Sequence, residues 1–182
     1  MVIEEYNSDW PNRFLQIKQT LEPGLTKLLK IEHLGSTSIP GMCAKPVIDI
    51  IIVIEAADFE LTKNELGKYG YSHEGDLGIT GREAFKKDPA TPHEVLDKIK
   101  HHLYVCDVSN EELRRQILFR DYLRRHESAM LEYCGIKREI VGKYGNEDRD
   151  KYVAVKAAEY TWFFEGVLLT AEREVGKPAT VG

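Results

Sequence analysis

Between His33 and Asp49 the chain gathers the residue types that phosphate chemistry uses: Gly35-Ser36-Thr37-Ser38, then Lys45-Pro46, then Val47-Ile48-Asp49-Ile50. Glycine lets a backbone come close to a ligand, and consecutive N–H and hydroxyl donors suit phosphate oxygens, above all where a helix begins. An ordinary turn rich in small residues would be written with the same letters. A Walker A loop is excluded, because Gly35 and Gly41 lack the spacing of G-x-x-x-x-G-K-[ST] and Lys45 follows too late. Asp49 is the one interruption of the apolar run from Val47 to Ile54. A carboxylate there costs roughly several kcal/mol unless it is paired, and a metal, Lys45, backbone N–H groups or substrate would each supply the pairing. Lys45 and Asp49 flank the strand entrance as cation and carboxylate, which phosphoryl and nucleotidyl transfer need for phosphate oxygens and Mg²⁺.

The elements that must position these residues follow from pattern. Ile31–Ile54 predicts a short strand, a turn, and a strongly apolar strand. Before it, Trp10-Pro11 opens a helix capped by Ser8 or Asp9, with Phe14, Ile17 and Leu21 on one stripe. Pro23-Gly24 breaks or kinks that helix, and Leu25, Leu28 and Leu29 resume an apolar face. Ala57–Tyr69 predicts a second helix with Asp58 as N-cap, Leu61 and Leu66 inward, and Gly70 as its stop. Tyr71–Lys87 predicts a twisted hairpin or mobile loop leading to a short strand at Arg82–Phe85. Gly75, Gly78 and Gly81 fit that loop better than a phosphate cradle, since no strand-to-helix context surrounds them. Lys100–Asp107 alternates as a strand, with Leu103 and Val105 on one face and His102, Tyr104 and Cys106 on the other. Ser109 and Glu112 form a capping box for a helix to about Glu127, and helical text continues over Ala129–Tyr144 and Asp148–Val175. Leu131, Ile136, Ile140 and Val141 are the apolar positions of the first of these segments, and Ala154, Trp162, Phe163 and Leu168 are among those of the second. The chain is thus one domain over 1–182, an α/β core at 1–108 followed by C-terminal helices at 109–176. This is an α+β arrangement.

The net charge of −5 argues against a role in coating nucleic acid. Three cysteines with no C-x-x-C spacing fit neither a disulfide framework nor a zinc finger, so a reducing cytoplasm is the expected setting. No signal peptide and no membrane-spanning run is visible. A soluble, cytoplasmic protein is expected.

H-L-G-S-T-S-I-P-G followed by K-P-V-I-D-I resembles the signature of the GrpB family, small bacterial proteins placed in the nucleotidyltransferase superfamily. H-H-L-Y-V, L-F-R-D-Y-L-R and Y-V-A-V-K are similar to further family positions, so the resemblance covers most of the chain. It implies a small mixed β-sheet flanked by helices, with a glycine-serine turn entering a helix and a D-x-D strand after it. Gly35-Ser36 matches the turn and Asp49 the first carboxylate. The second carboxylate position is Ile51, a departure, and a third acid expected on a neighbouring strand is missing from His101–Cys106. Losing one member of a carboxylate pair weakens a two-metal site. His102 and His33 are the candidates to replace the missing ligand, although a histidine beside a strand is commonly structural.

Arg120 and Arg124, four apart on one helix face, are candidates for phosphate contact, with a salt-bridged helix surface as the alternative. Arg82 and Lys156 join them through the resemblance. The expected site therefore comprises Asp49 and Lys45 as catalytic groups, Gly35, Ser36, Thr37, Ser38, Arg82, Arg120, Arg124 and Lys156 as ligand contacts, and Asp49, His102 and His33 around Mg²⁺. Its expected task is transfer of a nucleoside monophosphate from an NTP to an unspecified acceptor. The alternatives are a nucleotide- or phosphometabolite-binding protein without catalysis, or an interaction protein whose polar motif serves folding. Some relatives are fused to a dephospho-coenzyme A kinase, which makes a coenzyme A precursor a ligand candidate by analogy.

Overall fold

A computed structural model describes residues 3–145, 154–155 and 158–176. Strands β1 (Lys30–Leu34), β2 (Ile48–Ile54), β3 (Tyr71–Gly75), β4 (Arg82–Lys87) and β5 (His101–Asp107) form one sheet in the order β1-β2-β5-β4-β3. Only β2 and β5 run parallel within this sheet; its other neighbours are antiparallel. This is the mixed sheet flanked by helices that the sequence led us to expect.

Alternation along β2 divides the interior. Ile48, Ile50, Ile52 and Ile54 bury against Trp10, Ile17 and Leu21 of helix α1 (Trp10–Leu21) and Leu66 of α2 (Phe59–Gly67). On the opposite face Ile51 and Val53 pack with Leu34, Cys106 and Leu113, the last from helix α3 (Glu111–Arg125). A third apolar cluster lies among α3, α4 (Glu127–Tyr144) and α5 (Thr161–Val175). Ile39, Met42 and Cys43, just after the glycine-serine turn, are inserted into it. The helical lobe therefore grips the loop that carries the motif.

Several expectations need correction. Leu29 is exposed rather than on a resumed apolar face, because the chain, broken at Pro23-Gly24 by a 3₁₀ turn over Glu22–Gly24, leads there into β1. Leu61, Leu131 and Trp162 are exposed rather than inward, because the burial stripes of their helices pass through Leu66, Ile136 and Phe163 instead. Asn110, not Ser109, caps α3 by accepting from Leu113 N at 3.1 Å, while Ser109 turns back to Asp107. Cys43 and Cys134 form a disulfide. Their separation of 91 residues is closed by α4 packing on the loop, which an odd cysteine count could not reveal. Cys106 remains a free, buried thiol, its pKa pushed up to about 11 by burial. Among the described residues no helix is long and apolar enough to cross a membrane.

Candidate functional site

The turn after β1 is a single 3₁₀ coil, Ser36–Ser38, entered through Gly35 at φ 65°. An L side chain is strained in that region, and a Cβ on Gly35 would overlap Asp49 Oδ2. The glycine is therefore required twice, once for the backbone and once to admit the carboxylate. Within the coil Ser38 N bonds to Gly35 O at 3.2 Å, and Ser38 Oγ donates to the same carbonyl at 2.6 Å. Thr37 Oγ1 donates to Val47 O at 3.3 Å. These two hydroxyls, expected to face a ligand, are instead buried and close the turn on itself.

Basic residues from the helical lobe hold the back of the turn. Arg120 Nη1 donates to His33 O at 3.0 Å and Glu32 Oε2 at 2.6 Å, and its Nε donates to Asp121 Oδ1 at 2.7 Å. Arg124 donates to Ser38 O through Nε at 3.0 Å and Nη2 at 2.8 Å. Lys137, which sequence reasoning missed, is buried in α4 and donates to Cys43 O at 2.9 Å and to Ser36 Oγ. Its ammonium also lies 4.6 Å over the Tyr133 ring. A lysine on the apolar stripe Met130, Tyr133, Lys137, Ile140 was the available signal. Arg120 and Arg124 thus fasten carbonyls, which leaves little of either guanidinium for phosphate.

Asp49 faces the other way. It lies beside Leu34 on β1 and His102 on β5 by strand register. Asp49 Oδ1 and His102 Nδ1 are 2.9 Å apart, with the side chains 34% and 43% exposed. The neighbouring-strand position is thus filled by an imidazole, and Ile51, the other departure, is fully buried under α3. His33 is not near this opening. It is buried, stacked on Phe14 at 4.7 Å, and 3.0 Å from Thr37 Oγ1 through Nε2. Burial, with Arg124 and Arg120 close by, pushes its pKa down to about 4 despite the charge of Asp49. A buried neutral ring tied to the turn is a structural part.

Lys45 is half-buried in the loop entering β2, its carbonyl accepting from Val47 N at 2.7 Å. Arg82 pairs in register with Cys106, four residues along β5 from His102, or roughly 13 Å by strand rise. It leans over the Tyr104 ring at 4.3 Å on the same sheet face as Asp49. Lys156 lies outside the described residues. A separate groove of about 990 Å³ runs between β1 and α3, lined by Leu29, Val53, Leu113 and Ile117 among others; neither the turn nor Asp49 contributes to it.

The family model described as "GrpB protein" matches residues 1–165. The chain belongs to the GrpB family. A solved structure of the conserved protein GrpB from Enterococcus faecalis is 29% identical, with a TM-score of 0.78 over 97% of this chain and 100% of that one. The UPF0157 protein YqkA of Bacillus subtilis is 34% identical over 141 residues, 76% of this chain and 39% of YqkA. A dephospho-CoA kinase of Mycolicibacterium paratuberculosis is 28% identical over 183 residues, 85% of this chain and 42% of that protein. This GrpB-family chain therefore spans about two fifths of both longer relatives.

The donor set also tests the metal that the resemblance implies. Among the described residues no group of three His, Cys, Asp or Glu side chains is placed to hold a metal ion. A pair of Mg²⁺ ions needs shared carboxylates; Ile51 stands where the resemblance implies the second, and the β5 neighbour of Asp49 is His102. A single Mg²⁺ joined to one carboxylate and to phosphate oxygens is compatible with Asp49.

Proposed function

We propose that this protein binds a nucleotide, or a related phosphorylated metabolite, through its phosphates at the Gly35–Ser36 end of the turn, beside Asp49. The observation carrying this reading is the polarity of the turn. Helical-lobe cations draw the carbonyls of His33, Ser38 and Cys43 to one side, while the leading N–H groups of a 3₁₀ coil have no partner within it. Backbone N–H groups backed by cations favour an anion. Asp49 would hold one Mg²⁺ against the phosphates, where the ion neutralises their charge, and Lys45 and Arg82 would approach the ligand from either side.

A second reading is nucleotidyl transfer from an NTP to an acceptor. The exposure of Asp49 at the strand position of the family's first carboxylate favours it. The buried Ile51 opposes it, since a single carboxylate supports binding better than two-metal transfer. The name of the mycobacterial relative adds coenzyme A precursors to the ligands worth testing.

A thermal-shift series with ATP, GTP, CTP, UTP and dephospho-coenzyme A, each with and without Mg²⁺, tests the binding reading. A ligand that binds only the folded state raises the Tm with its concentration. Saturable shifts without NTP turnover support binding alone, and Mg²⁺-dependent release of pyrophosphate supports transfer. No shift with any of them refutes both.

A further inference from the structure

We infer that the Cys43–Cys134 disulfide is a reversible redox latch between the motif loop and the helical lobe, so that its reduction loosens the turn and weakens ligand binding. This rests on the phosphate-binding reading above and assigns its regulation. Among the described residues the disulfide is the one covalent tie between the loop entering β2 and α4, and Cys106 stays free. Cys43 belongs to the segment Ile39, Met42 and Cys43 that is seated in the helical cluster, among Met130, Tyr133, Ile136 and Ile140. The bond therefore crosses where the helices hold the loop.

Two observations point to a stable form without the bond. Cys43 Sγ lies 3.6 Å from Cys134 O, so a reduced Cys43 thiol has an acceptor for its proton already in place. The surrounding side chains are mostly apolar, which suits neutral thiols as well as a disulfide. Position makes the difference between the two forms matter. Cys43 O accepts from Lys137 Nζ at 2.9 Å, Cys134 lies about one helical turn before Lys137, and the same ammonium holds Ser36 Oγ. Cutting the bond lets the loop and α4 separate, and the cation behind the turn moves away with the helix.

The step is thiol–disulfide exchange with a dithiol. One thiolate attacks a sulfur of the pair, the Cys43–Cys134 bond breaks, and the second thiol resolves the mixed disulfide. Two electrons and two protons pass to the cysteines, and the dithiol leaves oxidised to its own disulfide. Both protein sulfurs are buried, so exchange requires the loop to lift from α4. A ligand that holds the turn opposes this lifting. By linkage it favours the oxidised form by the same factor by which reduction weakens binding.

The test compares the full chain oxidised and equilibrated with dithiothreitol, counting thiols in denaturant and titrating inorganic tripolyphosphate calorimetrically. Reactive thiols should rise from Cys106 alone to all three cysteines. Reduction should lower the Tm by about 5–15 °C, because the bond closes a long loop, and should weaken tripolyphosphate binding about five- to a hundred-fold. Saturating tripolyphosphate should raise by that same factor the dithiothreitol ratio needed to open half the bonds. Cys43→Ser should match reduced wild type and ignore dithiothreitol, whereas Cys106→Ala should respond as wild type does. Equal affinity in the two redox states, even with a lower Tm on reduction, would make the bridge a plain staple and overturn the inference. A dithiothreitol response that survives in Cys43→Ser would overturn it too. Absence of tripolyphosphate binding in both states would instead refute the phosphate reading beneath it. Should Cys43→Ser fail to fold, the redox titration of wild type with and without tripolyphosphate carries the same decision.

Discussion

The back of the glycine-serine turn and its front are built by opposite rules. Behind it, Arg120, Arg124 and Lys137 are buried or half-buried, and their donors end on carbonyls, on Glu32 and Asp121, and on the Ser36 hydroxyl. In front, Asp49 and His102 share one hydrogen bond and are open to water. A charge that is buried and fully bonded is a structural commitment, since removing either partner strands the other in a medium that solvates it poorly. A charge left open on a sheet face is little use to stability and stays available to a ligand. The contrast separates basic residues that hold the site from acidic and hydroxyl groups that serve it.

Breaking the back should have the largest effect. Arg120→Met leaves Glu32 buried beside His33 with Lys30 as its remaining cation, and should lower unfolding free energy by about 3–5 kcal/mol in urea titrations. The loss should be the same with and without nucleotide. If Arg120→Met keeps its stability and loses only ligand affinity, Arg120 belongs to the front after all.

Acid should attack the same side. His33 is neutral in the fold with its pKa near 4, and in the unfolded chain it protonates below about 6.5. The unfolded state therefore binds the extra proton in that window, so stability falls as pH drops from 6.5 to 4 and the penalty, about 3 kcal/mol, is complete below 4. Glu32 adds its own loss at lower pH: although burial opposes it, Lys30 and Arg120 hold its carboxyl below the ordinary range. Urea unfolding at pH 7 and pH 4.5 checks the sign, and His33→Gln should flatten the difference.

Gly35 lies on the boundary of the two. Gly35→Ala introduces a Cβ at φ 65° that overlaps the Asp49 carboxylate, for a loss of about 1–3 kcal/mol together with a displaced Asp49. Both the melting temperature and nucleotide affinity should drop. At the front, Asp49→Asn should change stability by less than about 1 kcal/mol, since a half-exposed pair contributes little, while abolishing any Mg²⁺-dependent part of ligand binding. An Asp49→Asn variant that unfolds would erase the distinction.

The sequence made the frame legible. Ile31–Ile54 declared strand, turn and strand; the split of Leu103 and Val105 from His102 and Tyr104 proved to be the two faces of β5; and Gly35 and Asp49, linked in the sequence only through the family resemblance, lie against each other. What stayed hidden depends on distance in the chain. Arg120 lies 88 residues from Glu32, and Lys137 101 residues from Ser36, so nothing local distinguishes a guanidinium on a wet helix face from one clamping a carbonyl. Hydroxyl direction is hidden for a related reason: Thr37 and Ser38 look like ligand donors until the carbonyls of Val47 and Gly35 are seen beside them. The Cys43–Cys134 closure had the same origin, through α4 packing on a loop 91 residues earlier.

The most direct test is to titrate ¹⁵N-labelled protein with ATP and Mg²⁺ and follow the backbone amides. Gly35, Ser36 and Asp49 should move first and saturate together, with Arg120 and Arg124 side-chain signals nearly still. Shifts concentrated at Leu29, Leu113 and Ile117, in the groove between β1 and α3, with Gly35 and Ser36 unmoved, would contradict it.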